Sequence, residues 1–208
     1  HGLMRTAKSM QGLGKYLCEQ GYNVYLYGYS SSEHQIQDHS IKFLSDLEKL
    51  LEQISNKNNK KLFGSVSIVT HSLGGIIARE ALGKLKPENK GIIKHLIMLA
   101  PPNKGSKLAR FMAKILPFWA KRVKPLSQLS DDPAAFVHKV EIPAGINIGI
   151  IAAKYDIKAP PAATGLNCKH DYFLVNAGHT FVMDNKKARQ AILNYLSSGS
   201  FRVVTFFK

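Results

Sequence analysis

The fold is decided by the stretch Val66-Ser67-Ile68-Val69-Thr70-His71-Ser72-Leu73-Gly74-Gly75-Ile76-Ile77-Ala78, which joins two different kinds of segment. Its first half is rich in β-branched residues without apolar–polar alternation, which predicts a strand buried on both faces. Its second half opens a predicted helix over residues 73–85. Ser72 lies at the junction, where a sharp turn would lift its hydroxyl out of the sheet and onto a helix N-terminus.

The residues beside Ser72 fit such a turn. Gly74, two positions after it, is small enough for neighbouring backbone to pack closely, and Gly75 lets the helix approach the sheet. Thr70 stands two positions before it, where glycine is usual, and is a tolerable departure. The alternative is a serine that only caps a helix. The strand, the paired glycines and the apolar helix together favour a nucleophile.

Helical patterns alternate with short β-branched or aromatic runs along the chain. The alternation predicts βαβ units, and therefore an α/β fold with a mostly parallel sheet and helices on both faces. The predicted helices span residues 9–20, 35–55, 73–85 and 185–197, and the predicted strands span residues 23–27, 65–70, 92–99 and 146–152.

One segment, residues 103–141, breaks this rhythm. It holds an apolar and basic helix-like piece over residues 108–119, followed by a polar stretch with Asp131-Asp132-Pro133. We expect a single domain over residues 1–208, in which this segment forms either a small cap over a site or ordinary connecting helices.

A nucleophilic serine needs a base that is oriented by an acid, and in this fold class the three follow the order serine, acid, histidine. His179 lies in a loop of small residues before the last predicted helix, from which it could reach Ser72. Asp156 follows a predicted strand and should emerge at its carboxyl end, where functional groups collect. Asp171 is the alternative acid, although a predicted strand separates it from His179.

The oxyanion of an acyl-transfer intermediate needs two backbone N–H donors. We expect one from Leu73, directly after the nucleophile, and one from Leu3, in a loop where Gly2 permits a tight turn. His71, beside the nucleophile, is too constrained to be its base and is expected to support the turn. The chain opens on His1 without an initiator Met, so we expect a fragment whose loop-supporting strand or strands precede His1.

These strings resemble the bacterial lipase and esterase branch of the α/β-hydrolase superfamily. The resemblance rests on HGLMR at 1–5, THSLGG at 70–75, APPNKGS at 100–106 and HTFVM at 179–183. Similar proteins carry the acid in an Asp-Gly-Lys-Val string, whereas this chain has Asp156-Ile157-Lys158-Ala159. Thr164 and Asp171 keep the family spacing to His179, which supports Asp156 as the acid.

The resemblance implies a serine carboxylic-ester hydrolase that acts through an acyl-enzyme on Ser72, with His179 as base, Asp156 as acid and no cofactor or metal. Short- or medium-chain esters are the expected substrates, with phospholipid second. An acyltransferase or thioesterase on the same three residues is the alternative. A third interpretation is a binding module without catalysis, against which the intact Ser, Asp and His set argues.

Charge bears on the partners. Lys and Arg number 29 against 14 Asp and Glu, which gives a formal net charge of +15. Such a balance fits a merely basic soluble surface or attraction to an anionic membrane surface. No nucleic-acid motif accompanies it, so no nucleic acid is expected. Apolar residues over 111–119, interleaved with lysines, are expected either to face lipid or to pack in the core.

Overall fold

A computed structural model describes residues 1–56 and 64–202. Its sheet has four strands in the order β1 (Val66–His71), β2 (Ile93–Leu99), β3 (Asn147–Ala153) and β4 (Asp171–Val175). Every neighbouring pair is parallel. Parallel strands end at the same edge of a sheet, so the carboxyl ends of all four strands lie together. The described part of the chain thus has the parallel sheet that the alternating pattern predicts.

Helices connect the strands. The α-helices are α1 (Gln11–Glu19), α2 (Ile36–Asn56), α3 (Leu73–Gly83), α4 (Pro87–Lys90), α5 (Lys107–Ile115), α6 (Pro117–Arg122), α7 (Pro125–Gln128), α8 (Pro161–Thr164) and α9 (Lys186–Ser198). Three 3-10 helices span Ala7–Met10, Phe136–Lys139 and His179–Asp184. Within the described ranges, none of these helices is long and apolar enough to cross a membrane.

The two faces of the sheet are covered by different helices. Ile97 and Leu99 of β2 pack with α1 and α9, whereas Leu96 and Met98 of the same strand pack with α2 and α3. Side chains alternate between faces along a strand, so a strand covered on both sides must be apolar at consecutive positions. This confirms the prediction of helices on both faces.

The predicted strand over residues 23–27 is wrong for the described structure. The segment forms no strand there, and its side chains divide between an inner and an outer side: Val24 packs against the α1–α9 core and Leu26 lies beside Gly14 of α1, whereas Tyr25 is exposed. A strand needs a neighbour to accept and donate its backbone hydrogen bonds. Among the described residues, β1 has only β2 as its partner, so the β-prone residues of this segment have no ladder to join.

The predicted helix-like piece over residues 108–119 is two helices. The backbone of Leu116 leaves the helical region between α5 and α6, and Pro117 begins α6. Proline lacks the amide that would continue α5, but it is favourable at the first position of a new helix. The inner faces of α5, α6 and α7 pack through Ala109, Val123 and Leu126 onto a cluster that includes Leu73 of α3.

Candidate active site

Ser72 occupies a strained turn between β1 and α3. Its backbone has φ 53° and ψ −123°, a conformation that residues other than glycine rarely adopt. Its amide donates to the Leu99 carbonyl oxygen at 2.8 Å, which anchors the turn to the neighbouring strand. Strain of this kind persists only where the surrounding structure enforces it, and it clusters at functional sites. The strand-to-helix turn expected at Ser72 is therefore present.

The small residues around Ser72 are required by close backbone contacts. A Cβ at Gly74 would lie 2.8 Å from the His1 carbonyl oxygen, and one at Gly2 would lie 3.0 Å from His71 Nδ1 and 3.1 Å from Ser72 Cβ. Thr70 fits where glycine is usual because its hydroxyl turns inward and donates to the Ile97 carbonyl oxygen at 3.3 Å.

His179 stands between Ser72 and Asp156 in a hydrogen-bonded series. Its Nε2 lies 2.9 Å from Ser72 Oγ, and its Nδ1 lies 2.6 Å from Asp156 Oδ2. A carboxylate only accepts, so Nδ1 carries the proton of a neutral imidazole and Nε2 is free to accept the serine hydroxyl. The structure thus brings together the three side chains that the chain order singled out.

Asp156 is held by backbone amides as well as by His179. It follows β3, is buried, and receives the amides of Lys158 and Ala159 on Oδ1, each at 2.8 Å. Two amides on one oxygen leave Oδ2 for the imidazole and fix the carboxylate in one orientation. Ile157, which replaces the glycine of similar proteins, does not disturb this arrangement.

Asp171, the alternative acid, lies elsewhere. It begins β4, and its Oδ2 accepts the Ser200 hydroxyl at 2.8 Å and the Phe201 amide at 2.7 Å. Because β4 is parallel to β3, the first residue of β4 stands at the opposite sheet edge from the end of β3. Asp171 therefore ties down the segment after α9 and does not approach the imidazole.

His71 contacts the backbone of the loop that carries His179. Its Nε2 donates to the His179 carbonyl oxygen at 2.9 Å, and the two rings lie 4.9 Å apart. Burial, followed by the proximity of His179, lowers the pKa of His71 to about 3. His71 is therefore neutral near pH 7, and its hydrogen bond helps to hold the backbone of His179 in place.

The expected oxyanion donors lie on either side of Ser72. Leu73 is the first residue of α3, and the first four amides of a helix have no acceptor within it. Gly2 packs against Ser72, and the side chain of Leu3 joins the same apolar cluster as Leu73. The loop at residues 1–4 is thus placed beside the elbow, where the expected role requires it.

A buried arginine supports the loop after β2 and the helix α8, and no sequence pattern pointed to it. Arg79 of α3 donates to Asn103 Oδ1 at 2.9 Å, and Asn103 Nδ2 donates to the Thr164 carbonyl oxygen at 2.6 Å. Burial lowers the pKa of Arg79 to about 10, so it remains charged at pH 7. This network joins α3, the loop after β2 and α8.

Ser106 extends this support to the acid. Its hydroxyl donates to the Lys158 carbonyl oxygen at 2.5 Å, and the Lys158 amide is one of the two on Asp156. The signal was present in the APPNKGS string, whose polar residues had a family resemblance but no assigned role. No group of three metal-ligating side chains occurs within residues 1–56 and 64–202.

Comparisons with solved structures agree on the fold. The mature form of the lipase BlEst2 from Bacillus licheniformis superposes with a TM-score of 0.69 at 15% identity, over 95% of this chain and 88% of that one. The monoacylglycerol lipase from Paleococcus ferrophilus superposes with a TM-score of 0.62 at 16% identity, over 95% and 92%. Phospholipase PlaB from Legionella pneumophila superposes with a TM-score of 0.55 at 22% identity, over 74% of this chain and 38% of that one.

These identities establish a shared fold and not a shared substrate, because one fold hosts many activities. A search for relatives among curated proteins found none that matches. Residues 1–144 match the family described as serine aminopeptidase, S33, which supports a hydrolase. Together with the parallel sheet and the helices on both its faces, this match shows that the chain belongs to the serine aminopeptidase S33 family of α/β-hydrolases.

Proposed function

We propose that this protein is a serine carboxylic-ester hydrolase of the esterase or lipase type. The observation that carries the proposal is the series Ser72–His179–Asp156, with distances of 2.9 Å and 2.6 Å, set on a strained strand-to-helix turn. Such a series is needed to activate a hydroxyl that is unreactive by itself near neutral pH.

Acylation begins when Ser72 Oγ attacks the ester carbonyl carbon and His179 Nε2 takes the hydroxyl proton. The carbonyl oxygen becomes an oxyanion that accepts hydrogen bonds from the Leu3 and Leu73 amides. The bond to the alcohol then breaks, and His179 returns the proton to the departing oxygen. Asp156 holds the imidazole in the required tautomer and stabilises its positive charge.

Deacylation repeats these steps with water as the nucleophile. His179 removes a proton from water, the hydroxide attacks the acyl carbon, and Ser72 leaves with the proton from the imidazole. No cofactor takes part in the proposed reaction. An acyltransferase or thioesterase would use the same residues and differ in the acceptor or the leaving group, so the test must separate hydrolysis from transfer.

The proposed substrate is a small ester or a lipid ester, with an anionic membrane surface as the proposed partner and no nucleic acid. A binding module without catalysis has no need for Asp156 to be buried and held by two amides beside His179. Burying a carboxylate costs free energy, and an enzyme that must orient His179 has a use for that carboxylate whereas a binding module has none. The buried Asp156 therefore supports an enzyme over such a module.

The test is covalent labelling followed by turnover. A fluorophosphonate probe should label Ser72 in the full-length protein and should not label the Ser72→Ala variant. Esters of graded acyl length should be hydrolysed to the acid, whereas amino-acid anilides, which report aminopeptidase activity, should not. Folded protein that is not labelled at Ser72 would refute the enzyme proposal. Acyl transfer without release of free acid would replace the hydrolase with the transferase.

A further inference from the structure

The loops that carry the proposed catalytic groups each expose a large apolar side chain. Met4 follows Leu3 and is 59% exposed, Ile157 follows Asp156 and is 77% exposed, and Phe181 stands two residues after His179 and is 67% exposed. Large apolar side chains scattered singly on a surface need no explanation, but a set that surrounds one site does. We call these three residues the apolar rim.

The helices α5 and α6 continue this exposed apolar surface. Their inner residues, including Met112 and Trp119, pack into the cluster that contains Leu3 and Leu73. Their outer residues remain exposed and form what we call the outer face, which comprises Phe111, Ile115, Leu116 and Phe118. The apolar stripe over residues 111–119 is therefore divided between core and surface, and its inner residues share one cluster with Leu3.

A hydrogen bond ties the residue before α5 to the residue that follows Ile157 of the apolar rim. Ser106, the residue before α5, donates to the Lys158 carbonyl oxygen, and Lys158 directly follows the rim residue Ile157. The start of α5 is thus fixed against the acid loop. The outer face, carried by α5 and α6, thus begins beside the loop that bears Ile157.

The charge around the outer face has one sign. Residues 104–130 contain seven cationic side chains and no acidic one: Lys104, Lys107, Arg110, Lys114, Lys121, Arg122 and Lys124. Arg110 pairs with Asp131 at 3.0 Å, and Arg122 lies over the Phe118 ring at 5.1 Å. Aromatic residues interleaved with cations are typical of segments that lie in the headgroup region of anionic bilayers.

We propose that the apolar rim and the outer face dock on an anionic bilayer, and that the ester substrate of the proposed hydrolase is drawn from that bilayer. The ester substrate in this inference rests on the proposed function, whereas the docking itself rests only on the exposed apolar and cationic residues. The run of cations without acids favours anionic phospholipid as the occupant. In the docked state, the side chains around Ser72 face the acyl-chain region, where an ester enters without crossing water.

The docking test uses the inactive Ser72→Ala protein, so that no lipid is consumed. It is sedimented with vesicles of phosphatidylcholine alone and of phosphatidylcholine mixed with phosphatidylglycerol. We expect binding to the mixed vesicles that weakens as salt is raised, because the cations act through screened attraction. Adding Phe111→Asp and Phe118→Asp should weaken that binding at least about tenfold. Leucine at both positions keeps the surface apolar and should restore it.

A second experiment compares two double variants that change the net charge equally but at different places on the surface. Lys114→Glu with Lys121→Glu should weaken binding to the mixed vesicles about 25-fold or more, at roughly fivefold per lysine lost. Lys186→Glu with Lys187→Glu, on the exposed side of α9, makes the same change in net charge and should leave binding within about twofold. Equal losses from the two pairs would show attraction to net charge alone and would overturn the docking surface.

Docking and catalysis fail in distinguishable ways. With Ser72 intact, the Phe111→Asp and Phe118→Asp protein should hydrolyse a water-soluble ester at the parent rate and lose hydrolysis of esters held in mixed vesicles. The docking proposal would be overturned if the parent protein did not bind the mixed vesicles, or if the aspartate variants still sedimented with them. Either result would overturn it even if soluble esters were cleaved. Vesicle binding without cleavage of any ester would instead overturn the proposed function and the bilayer substrate with it.

Discussion

Two helical regions flank Ser72, and they differ in how much of their surface the protein uses. In α3, nine of eleven residues are buried, and the glycines near its start meet neighbouring backbone and side chains. In α5, only Ala109 is buried, and α6 has no buried residue. The difference indicates that α3 holds the proposed catalytic geometry by close packing, whereas α5 and α6 are free to present a surface. Changes in α3 should therefore affect stability and the hydrolysis of soluble esters, and changes in the outer face should affect neither of these.

The largest expected effect lies at the start of α3. Ser72→Ala should reduce ester hydrolysis by about 10⁶-fold, because it removes the only proposed nucleophile. Its melting temperature should stay close to that of the parent, since alanine takes little different space in the turn. Initial rates with a soluble ester check the loss of hydrolysis, and thermal unfolding checks the melting temperature. Residual activity within about a hundredfold of the parent would assign the nucleophile elsewhere.

The next effect compares the two carboxylates. Asp156→Asn should lower kcat by about 10⁴-fold, because an amide NH₂ facing Nδ1 favours the wrong imidazole tautomer. The matched change Asp171→Asn replaces the charged acceptor of the Ser200 hydroxyl and the Phe201 amide with a neutral amide oxygen, and it should cost some stability but little activity. Steady-state kinetics on both folded variants decides between them, and the reverse order of losses would exchange their roles.

A third effect tests the close packing of α3 itself. Gly74→Ala places a Cβ 2.8 Å from the His1 carbonyl oxygen, so the loop at residues 1–4 must shift. We expect a loss of about 1–3 kcal/mol in the free energy of unfolding, together with reduced kcat. Gly91→Ala is the control, because nothing lies within 4 Å of a Cβ there and its φ of −64° suits alanine. Equal denaturation midpoints for the two variants would contradict close packing at the elbow.

A fourth effect is the pH dependence of stability at the elbow. The folded pKa of His71 is about 3, below the ordinary value of about 6.5 in an unfolded chain. Protons therefore bind the unfolded state first, and stability is full above about pH 6.5 and falls by about 1.4 kcal/mol per pH unit as the pH drops toward 3. Denaturant unfolding between pH 7 and pH 4 measures the slope.

The variant His71→Gln removes this proton uptake and keeps a side-chain N–H for the His179 carbonyl oxygen. Its unfolding free energy should fall less steeply with acid than that of the parent. His138→Gln replaces an exposed histidine in the 3-10 helix Phe136–Lys139 and serves as the control. Identical acid slopes for parent and His71→Gln would show that His71 is not the group responsible.

The smallest effect is expected on the outer face. Phe118→Ser changes a side chain that is 72% exposed and should alter the free energy of unfolding by less than about 0.5 kcal/mol. Its neighbour Trp119 packs against the cluster beside the elbow, so Trp119→Ala should cost about 2 kcal/mol. Thermal unfolding of the two variants compares their losses of stability and so shows which side of α6 is packed and which is exposed. Similar losses for both would mean that the outer face is packed.

Local patterns predicted most of the core elements correctly. The β-branched runs became β1, β2 and β3, and the amphipathic runs became α1, α2, α3 and α9, each within a few residues. Errors arose where a partner decides the outcome. Residues 23–27 are β-prone but lack a neighbouring strand among the described residues, and Pro117 divides a continuous apolar pattern into two helices.

The polar supports of the site were harder to predict. Arg79, Asn103 and Ser106 act through contacts with residues 24 to 61 positions away in the chain. No periodicity marks such pairs, because a buried hydrogen bond depends on which loops meet and not on local spacing. The APPNKGS string could have directed attention to Asn103 and Ser106, but it could not have named Thr164 or Lys158 as their partners.

The sequence by itself determined that a serine stands between a buried strand and an apolar helix, and that an aspartate and a histidine follow in order. These features depend on side-chain periodicity and chain order, which are local. Only the tertiary structure decided that Asp156 and not Asp171 meets His179, and which side of α5 and α6 faces outward. Those outcomes depend on contacts such as the one between Ser72 and His179, 107 residues apart, which form only when the parallel strands bring their carboxyl ends to one edge.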